Sequence, residues 1–165
     1  MLTIACIKQV PDTTEVKMDP ETGTLIREGI PSVINPTDVN AVEECLRLKD
    51  AYGAKTVVMT MGPPHAEDAL RDLLAMGIDR AILLTDRAMA GADTFATSYT
   101  LSTAIRHIES DDGPVDIVFF GKKALDGETG QVGPGVAARL GIPIITYTTR
   151  IVKLDPKERS VVAAR

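Results

Sequence analysis

Apolar residues in this chain gather in short blocks, and the segments between the blocks carry them at helical spacing. Leu2-Thr-Ile-Ala-Cys-Ile7 reads as a buried strand. Thr56 to Met61, Arg80 to Thr85, Asp116 to Phe120 and Ile142 to Thr148 repeat that pattern and predict further strands. Ala41, Val42, Cys45, Leu46 and Leu48 form a helical stripe that opens at Asn35-Pro36 and ends near Gly53. Asn can cap such a helix, and Pro suits its first turn. His65 to Met76 predicts a second helix, stopped by Gly77. Asp93 to Ile108 predicts a long third helix capped by Asp93, and Val136 to Leu140 predicts a fourth.

Near the N-terminus, Glu15-Val-Lys-Met-Asp19 and Thr24-Leu-Ile-Arg27 flank Pro-Glu-Thr-Gly, a hairpin signature. Beyond it, strands alternate with helices. That alternation implies right-handed crossovers and an α/β fold: a doubly wound, mostly parallel sheet with an N-terminal β-hairpin excursion. Ile151 to Arg165 reads as a strand, a turn and the start of another strand, with no closing cap or polar tail. We expect it to begin a C-terminal extension that the chain cuts short; a short terminal hairpin is the plainer alternative.

Composition removes several function classes. The 165 residues are 44% hydrophobic and 25% charged, with a net charge of −5, enough for one domain with a sizeable core. No Lys/Arg stripe forms and Trp is absent, so nucleic acid is not an expected partner. Cys6 and Cys45 lack CxxC spacing, and His65 and His107 stand apart, so no metal site is expected. The separated cysteines suit a reducing compartment. The strand begins at Thr3 with no basic stretch before it, and no apolar run is long enough to span a bilayer. A cytoplasmic place without membrane insertion is the expectation.

The stretch GKKALDGETGQVGP, Gly121 to Pro134, joins a buried strand to a helix and holds four glycines. In open α/β sheets, ligands sit beyond the carboxyl ends of the strands, near a switch in strand order. A helix N-terminus offers free N–H groups and partial positive charge, and glycines let that backbone approach a phosphate. Gly127, Gly130 and Gly133 are placed for this; Thr129 and Gln131 add neutral donors, and Lys122 and Lys123 add charge. Asp126 and Glu128 oppose it, unless they point outward, cap the helix or bind a ribose hydroxyl. No GxxxxGK[ST] is present, which disfavours a P-loop enzyme. Gly133-Pro-Gly135-Val-Ala-Ala138 fits a loosened G-x-G-x-x-A pattern, but Pro134 is misplaced and the match is treated as chance.

Three other segments reach the same rim: Cys6-Ile-Lys8, Met61-Gly62-Pro63 and Asn35-Pro-Thr-Asp38. Each has a plain reading, as core strand, turn or cap, and the loop itself could merely connect. Together they outline a cleft for an adenine nucleotide, and residues 1–150 read as its α/β domain.

These residues carry a resemblance. KQVPDTTEVKMDPETGTLIREG, INPTDVNAVEECLRLKD, MGPPHAEDALRDLLAMGIDRAILLTD and ALDGETGQVGP are similar to the N-terminal portion of the beta subunit of electron transfer flavoproteins. The similarity runs through essentially the whole chain. It implies an adenine-nucleotide-hydrolase-like, Rossmann-like fold and a heterodimer with the electron transfer flavoprotein alpha subunit. It also implies one FAD carried mainly by that partner, and a nucleotide site of this subunit's own. That site holds AMP in most members and a second FAD in the electron-bifurcating branch.

The resemblance places Cys6 at a first-strand contact to adenosine and Asn35, Pro36, Thr37 and Asp38 along the nucleotide. Met61 becomes a wall residue. Gly121, Lys122, Lys123, Ala124, Leu125, Asp126, Gly127, Glu128, Thr129, Gly130, Gln131 and Val132 match the loop around base, ribose and phosphate. Asp86 to Ser98 looks like the bifurcating branch, whose Asp-Thr and following Thr hold the second flavin; here these are Asp93, Thr94 and Thr97. The plainer reading is a helix cap with threonines facing solvent. Lys122-Lys123 departs from the branch's Arg-Gln, and Gly130 from its Ala. The family continues past Arg165, into a loop that docks dehydrogenases and an arm that embraces the alpha subunit.

Three functions follow as expectations. In the first, NADH reduces FAD on this subunit, and the electrons part: one to ferredoxin or flavodoxin, one to the alpha-subunit FAD and on to an acyl-CoA or related dehydrogenase. The protein then supplies position and electrostatics, and no side chain acts as a catalytic acid or base. In the second, the site holds AMP and the subunit is a scaffold for its partner's flavin. In the third, the fold serves an unrelated hydrolase or ATP binder.

Overall fold

The structure is a computed structural model that describes residues 1–12, 17–18, 25–26 and 31–165. Its centre is a four-stranded parallel sheet. Strand β1 (Leu2–Cys6) runs along the middle. Strand β2 (Gln9–Pro11) follows, and a short antiparallel pair comes next, β3 (Lys17–Met18) with β4 (Leu25–Ile26). That pair is the expected hairpin; the Pro-Glu-Thr-Gly between its arms, and the outer parts of both expected strands, lie outside the described residues. Strand β5 (Ser32–Ile34) returns antiparallel to β2, with Gln9 facing Ile34.

Helix α1 (Pro36–Tyr52) leads to β6 (Lys55–Met61), which pairs with β1 in the register Cys6–Met59. Helix α2 (Glu67–Ala75) leads to the outer strand β7 (Arg80–Leu84). Helix α3 (Thr94–Asp112) then carries the chain back across the sheet to β8 (Ile117–Phe120), on the other side of β1. Strand order is therefore β7-β6-β1-β8, and the switch in direction falls between β1 and β8. Crossovers keep one hand, so reversing direction along the sheet moves the connecting helices to the opposite face.

The two faces are filled by alternate residues of the same strands. Ala5, Ile7 and Val58 pack with Val42, Cys45, Leu70 and Leu73 from α1 and α2. Leu2, Ile4, Cys6, Val57 and Met59 pack with Leu101, Ile105 and Val136 from α3 and helix α4 (Val132–Leu140). This period of two is what a strand covered on both faces requires. At the amino edge, Asp112 pairs with Lys55 and Arg80, and Asp116 accepts from the Leu2 N–H at 2.8 Å.

Three expectations need correction. Ile142 to Thr148 is no strand. Pro143 has no N–H to give a neighbour, Tyr147 turns to φ 56°, and Ile142, Ile144 and Ile145 stay 44%, 49% and 46% exposed. Helix α4 starts at Val132 rather than Val136, because Pro134 falls in the first turn, where its missing N–H removes no helix bond. Asn35 precedes α1 but makes no side-chain cap; its amide is used elsewhere, as shown below. The final segment forms the hairpin β9 (Arg150–Asp155) and β10 (Ser160–Ala164), with a bulge between Val162 and Ala163.

Helices α3 and α4 touch through a glycine. A Cβ at Gly135 would stand 2.9 Å from both Cβ and Oγ of Ser98, which is buried. Gly135→Ala is expected to force the helices apart and lower folding stability by about 1–3 kcal/mol. Urea unfolding reads this directly, and an unchanged midpoint would show that the contact is looser than described.

Candidate functional site

The carboxyl ends of β1 and β8 diverge at the switch in strand order, which is where open α/β sheets form a crevice. The β2–β5 ladder brings Asn35 back to this point, and its N–H donates to the Lys8 carbonyl at 2.8 Å. Helix α1 therefore starts beside the end of β1. In its first turn, the buried Asp38 turns its carboxylate toward the crevice. It accepts from the Lys8 N–H at 2.7 Å and from the Gly121 N–H beyond β8. One carboxylate thus holds both strand ends.

Asn35 is fully buried and ties the same turn to the loop. Its amide nitrogen donates to Thr37 Oγ1 at 2.9 Å and to the Lys123 carbonyl at 3.0 Å; its oxygen accepts from the Leu125 N–H at 3.2 Å. Thr37 Oγ1 donates to the Lys123 carbonyl at 2.8 Å. These bonds explain why Asn35 is not the cap. They also lay residues 121–125 against the start of α1. Gly121 admits no side chain: a Cβ there would stand 2.1 Å from Asp38 Oδ1 and 2.6 Å from Thr37 Oγ1.

The two loop acids are answered by lysines. Asp126 folds inward, its side chain 4% exposed, and meets Lys8 Nζ at 2.6 Å. Glu128 faces solvent and pairs with Lys123 Nζ at 2.6 Å, which holds its carboxyl below the usual range. Lys122 places its ammonium 4.9 Å from the centre of the Tyr147 ring. The Glu128 N–H donates to the Ala124 carbonyl at 2.9 Å and closes the turn that contains Gly127. Gly130 sits at φ +62°, with the Lys122 carbonyl 3.2 Å from where a Cβ would be, so glycine suits it better than the alanine expected there.

Two helix starts meet at the end of the loop. In α4 the first helical bond runs from the Gly135 N–H to the Gln131 carbonyl, which leaves the Val132 and Gly133 N–H groups ahead of it. In α3 the Asp93 carboxylate caps the Ala96 N–H at 2.8 Å, and Thr97 N–H donates to the Asp93 carbonyl at 2.9 Å. The N–H groups of Thr94 and Phe95 precede those bonds. Thr94 Oγ1 and Gln131 Oε1 lie 3.2 Å apart and join the two helix ends. Backbone donors with partial positive charge, beside a loop whose acids are paired, make a surface that suits an anion.

Most of the expected residues therefore converge. Thr37 and Asp38 line the crevice with Asn35 buried behind them, and Pro36 is exposed at the start of α1. Residues 121–124 and 127–132 line the loop side, Leu125 and Asp126 do not line it, and Thr94 reaches the loop. Asp93 acts as the helix cap of the plainer reading, and Thr97 lies half-buried one residue before Ser98. Met61 ends β6 and packs against the α3 face of the sheet. Cys6 departs from the rest: its side chain lies in the core on that same face, and burial, reinforced by Asp38 and Cys45, pushes its thiol well up. Its thiol is neutral, and the residue also borders the crevice. Sequence reasoning did not select Lys8 as a site residue, although it saw that Lys8 ends the first strand at the rim.

Comparison with known proteins shows the family. The family described as Electron transfer flavoprotein domain matches residues 22–165. Protein FixA of Azotobacter vinelandii is 51% identical over 165 residues, covering 100% of this chain and 58% of that protein. Electron transfer flavoprotein subunit beta of Clostridium acetobutylicum is 56% identical over 151 residues, covering 92% of this chain and 56% of that protein. Caffeyl-CoA reductase-Etf complex subunit CarD of Acetobacterium woodii is 52% identical over 162 residues, covering 98% and 60%. The chain belongs to the electron transfer flavoprotein family and is of the beta-subunit type. It spans less than two thirds of the length of these relatives. Among the described residues, no helix is long and apolar enough to cross a membrane.

Two outcomes test the floor of the crevice. Gly121→Ala is expected to lower stability on the order of 3 kcal/mol, because the methyl group can only enter by displacing Asp38. Calorimetric unfolding checks it, and a variant as stable as the parent contradicts the close approach. Burial raises the Asp38 carboxyl from 3.8 to about 6, against the opposing pull of the bonds from Asn35, Lys8 and Gly121. A raised folded value means that the fold favours the protonated acid. Its contribution is full below 3.8 and is lost as pH rises through about 6. The parent should lose about 3 kcal/mol relative to Asp38→Asn across that window. A flat difference between the two unfolding curves would contradict it.

Proposed function

We propose that this chain is the nucleotide-binding part of a beta-type subunit whose cleft holds FAD, as in the electron-bifurcating branch, with NADH as electron donor. The observation that carries the proposal is the meeting of two helix starts at Thr94 and Gln131. Val132 and Gly133 offer one set of backbone donors, and Thr94 and Phe95 offer a second. FAD carries two phosphates where AMP carries one, and two adjacent donor sets suit the longer diphosphate. The paired state of Asp126 and Glu128 removes the objection that loop acids would repel it.

Bound FAD would supply the redox chemistry, taking a hydride from NADH and passing electrons singly to the alpha-subunit FAD and to a low-potential acceptor such as ferredoxin or flavodoxin. The residues of this chain bind and orient. Asn35 and Thr37 fix the loop, Asp38 fixes the strand ends, and the helix starts hold the phosphates. The named relative from Acetobacterium woodii belongs to a caffeyl-CoA reductase complex, which supports an acyl-CoA or related dehydrogenase as the terminal partner. In this reading residues 1–150 are the nucleotide domain, residues 151–165 begin a further segment, and the complex works in the cytoplasm.

The test is a count. The protein is co-expressed with its alpha-type partner, the bound nucleotides are released and quantified, and NADH is added to the intact complex. Two FAD per heterodimer, with flavin colour bleached by NADH, is the expected result. One FAD and one AMP would overturn it and leave an AMP-holding scaffold.

A further inference from the structure

Helices α3 and α4 lie side by side and run in the same direction. Thr94 meets Gln131 where both begin. Four residues further along each helix, Ser98 meets Gly135. Four further again, Arg139 completes the face that α4 turns to α3. Parallel helices with level starts bring two partial positive charges together, and these repel. The paired starts therefore need a restraint.

Arg139 supplies one. Its Nε donates to Ser98 Oγ at 3.2 Å, and its Nη2 donates to the Phe95 carbonyl at 3.3 Å. Its guanidinium lies 4.1 Å from the centre of the Phe95 ring and 5.5 Å from that of Tyr99, two side chains otherwise turned to solvent. All of these contacts fall in the first two turns of α3. Arg106 answers from farther along α3, where its Nη2 donates to the Arg139 carbonyl at 2.7 Å. Thr94 and Gln131 line the crevice, whereas Arg139 does not. It acts on the helices, not on what they hold.

We propose that Arg139 is a positioning residue that sets the spacing of the two helix starts, and so makes the cleft prefer a nucleoside diphosphate to a monophosphate. The inference rests on the reading of the cleft as a site for the diphosphate of FAD. One phosphate is met by the donors of one helix start; two linked phosphates need both starts at a fixed separation. Loosening the clamp therefore costs the second phosphate and spares the first.

The full-length protein is taken in complex with its alpha-type partner, whose own flavin site is kept filled with FAD. The site of this subunit is emptied and titrated calorimetrically with AMP and with ADP-ribose, which carry similar charge on one and on two phosphates. The parent is expected to prefer ADP-ribose. Arg139→Met should reduce that preference about tenfold, what one hydrogen bond to a charged group is worth, while AMP affinity changes by less than about twofold. Arg139→Lys keeps the charge but not the planar fork, and should lose the preference too. An unchanged preference in Arg139→Met overturns the inference, as does an equal loss of both ligands, which general loosening of the fold would give. A preference retained in Arg139→Lys also overturns it, because charge alone would then suffice. If Arg139→Met does not fold, Arg139→Lys decides by itself. A parent that does not prefer ADP-ribose overturns the diphosphate reading and this inference with it, and is told apart by failing before any substitution is made.

Discussion

The site is organised around one buried carboxylate that spans a gap in the sheet. Beyond Cys6 and Phe120 the parallel pairing of β1 and β8 ends. There the backbone N–H groups of Lys8 and Gly121 need acceptors, since buried donors left unmet are costly. Asp38 supplies both from the first turn of α1. Its position fixes where Gly121 lies, and Gly121 fixes where the loop leaves the sheet. Asn35 then continues the same function with an amide, binding the backbone of Lys123 and Leu125. The crevice is held open by bonds from three side chains, Asp38, Asn35 and Thr37, to main-chain atoms, so its shape depends on those three.

That arrangement separates structure from charge. The acids of the loop are each set against a lysine, and the remaining attraction for an anion comes from backbone N–H groups at two helix starts. Those groups do not titrate. That donor set is independent of pH, whereas the raised carboxyl of Asp38 beneath it makes stability depend on pH.

The fold was largely legible in the chain. Buried strands with apolar blocks and helices with spaced stripes are strong local signals, and β1, β6, β7, β8, α1, α2 and α3 fall where the pattern puts them. Ile142 to Thr148 has the apolar content of a strand but not the geometry, because pairing depends on a neighbour and on backbone angles that composition does not report. The loop was legible as a loop and as glycine-rich. The reason for its shape was not, since Asn35 meets residues some 88 and 90 positions away. Lys8 was missed for the same reason: an ion pair spanning 118 positions leaves no trace in local sequence.

The β2–β5 ladder acts as a clasp. The excursion between Pro11 and Ser32 leaves and rejoins the domain at paired residues, with Asp12 N–H donating to the Pro31 carbonyl at 2.7 Å. The clasp, not the contour length of what it encloses, delivers Asn35 to the end of β1. Closing a longer loop costs only slowly more entropy. Asn35 is therefore brought to the crevice by the two or three paired residues beside it, and the register of the cleft is set there rather than by the path of the chain in between.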